Sequence, residues 1–169
     1  MKGLEGEFLT NFISESDKEK IMAGDIQKNI LEMSKLIDVL YKVCYTSCVK
    51  GDYELSKFAR MMYRKLQEME VKTLKMVFRI KVNDSERMVL LGIIDGIMDI
   101  ANTSLSLLQF LDYKKEFLKD FKGLVDLKEG KSFVGKKRSE VGGIAIIRKG
   151  KIIFSDTVIK PDDKVLIQT

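Results

Sequence analysis

The stretch Leu90–Leu108, LLGIIDGIMDIANTSLSLL, decides how the chain is read. Leu91, Ile94, Met98, Ala101, Leu105 and Leu108 recur at three- and four-residue steps, the mark of one apolar helix face. Asp95, Asp99, Asn102 and Ser106 recur at steps of four, three and four. On a helix of 3.6 residues per turn they stack along a second, polar line. The pattern predicts a helix from about residue 85 to 111, able to continue with a bend through Tyr113–Lys122.

Two further helices are expected upstream. Ile26, Ile30, Met33, Ile37, Leu40, Cys44 and Ser47 or Cys48 share a face, so residues 26–49 read as a helix with Asp25 as its N-cap. Lys50-Gly51-Asp52 closes it, with Gly51 suited to a left-handed cap. Asp52 then caps a helix over 53–81, whose stripe is Leu55, Ala59, Met62, Leu66, Met69, Thr73, Met76 and Ile80. Asn83, Asp84 and Ser85 form the turn and cap before the opening helix. Such short turns make the helices antiparallel neighbours. Three long helices leave one side of a bundle uncovered, for a fourth helix from residues 1–24 or from a second chain. Residues 1–24 form a leader with Phe8, Leu9, Phe12 and Ile13 as its apolar positions.

Beyond Gly123 the period shortens. Ile144–Ile147, Lys151–Phe154 and Lys164–Ile167 read as short strands, separated by a Lys149-Gly150 turn and the Lys160-Pro161-Asp162-Asp163 turn. The fold class is therefore α+β: residues 25–122 form an antiparallel three- or four-helix bundle, and residues 123–169 a small β-rich unit.

The 169 residues contain no His, two Cys and nine Met. Without His there is no imidazole base, no Ser–His–Asp triad and no His-containing metal site. Cys44 and Cys48, one turn apart, cannot complete a zinc site and read as small core residues. Glu129-Gly130-Lys131-Ser132 lacks the preceding Gly of a phosphate loop, since Val125 holds that position. The start MKGLEGEFLTNF lacks the order of a signal peptide, and Asp95 and Asp99 interrupt the longest apolar run. These features predict a cytoplasmic, non-enzymatic protein without direct membrane insertion. The net charge of +5 is uneven: residues 113–169 carry 14 basic and 8 acidic side chains.

Two groups carry candidate chemistry. Asp95 and Asp99 can share a divalent metal or iron through carboxylate oxygens, with Asn102 and Asp38 as further donors. The same spacing also describes a water-facing stripe. Lys136-Lys137-Arg138 and Arg148-Lys149-x-Lys151 form a basic patch suited to a small anion, to nucleic-acid phosphates or to an acidic partner.

Two family resemblances rest on these residues. Ser132-x-x-Gly135-Lys136, Gly143, Ile146-Ile147-Arg148, Phe154, Thr157-x-Ile159 and Pro161-x-Asp163-x-Val165-x-Ile167 resemble the TrkA C-terminal domain of potassium-conductance regulators. Asp162 stands where that family usually has Gly. The Gly51-Asp52 hairpin and Asp95-x-x-x-Asp99-Ile100-Ala101 resemble the PhoU-like helical domain, of which one three-helix unit is present. The resemblance implies a non-enzymatic regulatory or ligand-sensing subunit of potassium or other cation transport. It implies a homodimer formed through the C-terminal unit, a membrane channel or transporter as partner, and a small anionic ligand such as a nucleotide at Lys136, Arg148, Lys149 and Asp163. A metal-binding regulator of phosphate uptake and a nucleic-acid-binding protein are the alternatives.

Overall fold

The computed structural model describes residues 15–111 and 122–169. Three helices come first: α1 (Glu15–Lys50), α2 (Tyr53–Val77) and α3 (Asp84–Ser106), the last tightening into a 3-10 turn over Leu107–Phe110. Four strands follow: β1 (Val125–Glu129), β2 (Gly143–Arg148), β3 (Lys151–Ile153) and β4 (Lys164–Gln168). The α+β reading holds, as does the order of helices before sheet.

The hairpin chemistry is as the residues dictate. Gly51 takes φ 63°, and the Asp52 carboxylate accepts from the backbone N–H of Glu54 at 2.9 Å and of Leu55 at 3.1 Å. Asn83 accepts from Glu86 N at 2.8 Å while the Glu86 carboxylate reaches back to Asn83 N, a reciprocal capping box. The expected start of the first helix is corrected. Asp25 is no N-cap; α1 runs through it from Glu15. Packing carries the helix across Gly24: Met22 lies against the core and Glu19 pairs with Lys81 in the connection between α2 and α3. These contacts outweigh the cost of one interior Gly, about 1 kcal/mol. The second helix is shorter than expected, ending at Val77, and Ile80 is buried in the turn beyond it. Residues 1–14 of the leader, with its four apolar positions, and most of the Tyr113–Lys122 continuation lie outside the described residues.

The sheet is antiparallel throughout, in the order β1-β4-β2-β3. β1 is a strand that the period did not announce; it pairs Val125 with Gln168 and Glu129 with Lys164. Alternation along the strands sends side chains to two faces. Val125, Ala145, Ile152 and Leu166 join the core of the helices, whereas Ile146, Val165 and Ile159 pack with Phe133, Val141 and Ile153 on the other side. The buried cluster is thus continuous from the bundle into one face of the sheet.

Candidate functional site

Of Lys136, Arg148, Lys149 and Asp163, the structure brings Arg148 of β2 and Asp163 of the turn before β4 together, and these two hold each other. The Arg148 guanidinium donates from Nε to Asp163 Oδ1 at 2.8 Å and from a terminal nitrogen to Oδ2 at 2.7 Å. It also donates to Val158 O at 2.8 Å. Asp163 is 1% exposed and accepts further from Lys160 N at 2.7 Å. The Arg148 hydrogen bonds hold its carboxyl below the usual carboxylate range, against the opposing effect of burial. The backbone of Asp163 accepts from Gly130 N at 2.7 Å. A β-carbon on Gly130 would stand 2.4 Å from Lys160 O, so only glycine fits there. Lys136 contributes its backbone, accepting from Ile159 N at 2.9 Å. Lys149 sits exposed at the tip of the β2–β3 hairpin. Arg148 and Asp163 thus form a bidentate clamp closing the sheet.

The next cation is Arg138, which the basic-patch reading includes but does not single out. It donates to the carbonyls of Gly143 and Ile144 on β2 and, through Nε, to Ser155 O. Its aliphatic stem lies against Gly143. Arg138 also lines a groove of about 800 Å³ between the helices and the β2–β3 edge. Lys35 of α1, Lys65 of α2, Ile144, Phe154 and Ser155 share the lining with it, as do the acidic Glu32 and Asp38 of α1. Sequence spacing gives no sign of this groove, because its walls come from segments about a hundred residues apart that meet only when the sheet docks.

Docking is specific. Thr46, fully buried on α1, accepts from Leu124 N at 2.8 Å and Val125 N at 3.2 Å. Lys50 pairs with Asp126 on β1, and the Lys50 contact holds the Asp126 carboxyl below its ordinary range. Lys164 of β4 reaches Glu54 of α2 at 3.5 Å. Gly123 lies so close that an added β-carbon would meet Lys50 Cε at 2.4 Å.

The acidic stripe keeps its place on α3. Asp95, Asp99, Asn102 and Ser106 are all exposed along it. Asn102 accepts from the Tyr63 hydroxyl of α2, and Asp38 pairs with Lys42 at 2.8 Å on α1. Among the described residues no three acidic or thiol side chains converge on one point. The stripe of one chain therefore presents two carboxylates, against the six or more oxygens that a hard cation takes. Cys44 is a core group, as expected, whereas Cys48 is only partly buried and lies outside the core cluster. Burial pushes Cys44 up to about 12, and also raises Cys48.

A scan against protein-family models finds none that matches this chain, and a search of curated proteins finds no match.

Proposed function

We propose that the chain is a non-enzymatic, cytoplasmic regulatory module of cation transport, which senses a small anionic ligand and passes the signal to a membrane channel or transporter. The observation that carries this reading is the groove between the helices and the sheet, with Lys35, Lys65 and Arg138 contributed by three separate segments. An anion there would contact α1, α2 and the loop before β2 at once. Binding would bias how the two parts sit together, which is the differential affinity that any ligand-driven switch needs. The TrkA-like and PhoU-like resemblances supply the link to potassium or other cations, and with it a homodimer.

The patch Lys136, Arg148, Lys149 and Asp163 gives this reading less support, since Arg148 and Asp163 spend their charge on each other. The same pairing weakens the nucleic-acid alternative, which needs the Arg148 charge free.

Isothermal titration of the full chain with adenine nucleotides, cyclic dinucleotides and Mn²⁺ tests the proposal. A nucleotide signal that is lost in Lys35→Ala/Lys65→Ala is the expected result. Absence of any nucleotide binding sinks ligand sensing at this groove. The Mn²⁺ arm asks whether Asp95 and Asp99 take a cation when two chains combine their oxygens.

A further inference from the structure

Helix α2 turns a basic line away from its own bundle. Its buried set includes Leu55, Ala59, Met62, Leu66, Thr73 and Val77. Half a turn round lie Arg60, Arg64, Val71, Lys75 and Phe78, all exposed. On a helix of 3.6 residues per turn these five fall within about 60° of one another. Lys72 flanks the line, and Arg79 follows it in the turn beyond the helix, both exposed. Among the described residues the cations Arg60, Arg64, Lys72, Lys75 and Arg79 form no ion pair. Lys57, one turn before Arg60, is held by Glu54 at 2.7 Å. Glu68 is the acid that stands among the five cations.

The neighbouring helix has the opposite sign. α2 carries six basic and three acidic side chains, whereas α3 carries one basic and four acidic. The base of α3, Arg87, faces Asp84 at 3.3 Å, while Asp95 and Asp99 are exposed. The bundle is therefore polar across its width. An anionic surface draws in α2 and repels α3, which fixes the orientation of docking.

We propose that the outer face of α2 docks on an anionic phospholipid surface. Charge complementarity calls for a polyanion, and three features select lipid among polyanions. The cations lie along a straight line, with Arg60 to Lys75 covering about 22 Å of helix. A flat surface meets such a line throughout, whereas a nucleic-acid backbone curves away from it. Val71 and Phe78 are 50% and 64% exposed among the cations. A headgroup layer gives such side chains apolar depth to enter, which a phosphate backbone does not. The line carries a single aromatic, Phe78, at its end, so bases find no stacking platform. Docking through α2 goes beyond the regulatory reading and needs no ligand in the groove. It would bring the chain to a membrane surface without insertion.

Flotation of the full chain with lipid vesicles tests this face. Each basic side chain near an anionic surface strengthens partition about fivefold. The parent should float with phosphatidylcholine vesicles holding roughly 30% phosphatidylserine, and be released as added salt shortens the screening length. Arg60→Ala/Arg64→Ala/Lys75→Ala should lower partition about a hundredfold while far-UV dichroism is unchanged, since all three side chains are exposed. Lys72→Ala/Arg79→Ala should lower it about twenty-fivefold and serves if the triple variant misfolds. Lys128→Ala/Lys131→Ala, in the sheet unit, should float as the parent does. A parent chain that stays unbound overturns the proposal, and so does one that floats equally with pure phosphatidylcholine. Loss of flotation in the Lys128→Ala/Lys131→Ala variant alone puts the contact on the sheet, with the same consequence. In a mobility-shift assay at the same salt, a nucleic-acid duplex held more tightly than the vesicles and released by the triple variant gives the face to nucleic acid and overturns it too.

Discussion

Asp163 is the side chain on which the closure of the sheet depends. It is buried, ionised and held by two guanidinium bonds and one backbone N–H. Asp163→Asn keeps the shape but removes the charge that Arg148 faces. Breaking one partner of such a pair should cost about 3 kcal/mol in a urea titration. The acid limb follows from the same contacts. Arg148 depresses the folded carboxyl below its unfolded value, so the pair's stabilisation is complete above the unfolded value of about 3.9 and is lost as pH falls through the lower folded one. The variant should therefore lose less stability on acidification than the parent; equal acid limbs would show that the pair contributes nothing. Sequence placed Lys136, Arg148, Lys149 and Asp163 in one group, and two of the four do meet. It could not show that Arg148 and Asp163 satisfy each other, because charge is written in the residue while partnership is written in the register of β2 and in the turn that Pro161 begins.

At the scale of elements, caps were legible and packing was not. Asp52 and Asn83 announce their helices because the side chain and the N–H groups it satisfies lie within three residues. Asp25 has the same chemistry but stands inside α1, where Met22 and Glu19 extend the helix by contacts with distant residues. Gly24 offers a direct check. It is exposed, helical, and has open space at the β-carbon position. Gly24→Ala should raise stability by about 0.5–1 kcal/mol, since alanine costs less to order in a helix interior. A helix beginning at residue 26 would leave the urea midpoint where it was. β1 was missed for a related reason: in VDLKE only Val125 and Leu127 are apolar, and the strand exists because β4 offers it an edge.

For the whole molecule, the question is whether helices and sheet behave as one body. The shared buried cluster and the Thr46 anchor predict that they unfold together. Thr46→Val is the discriminating change. Valine keeps the volume of threonine but removes the acceptor from the buried N–H of Val125 and the partly buried N–H of Leu124. Each orphaned donor costs about 1–3 kcal/mol. That loss falls on the joint between α1 and β1, where Lys50 and Asp126 add only a partly exposed ion pair. Hydrogen exchange should then show β1 and β4 losing protection well before the α1–α2 core, which remains closed around Met33, Leu40, Met62 and Leu66. In the parent chain the two regions should exchange through a single opening. If they already open separately there, the anchor is not what joins them, and a groove ligand would have no coupling to act on.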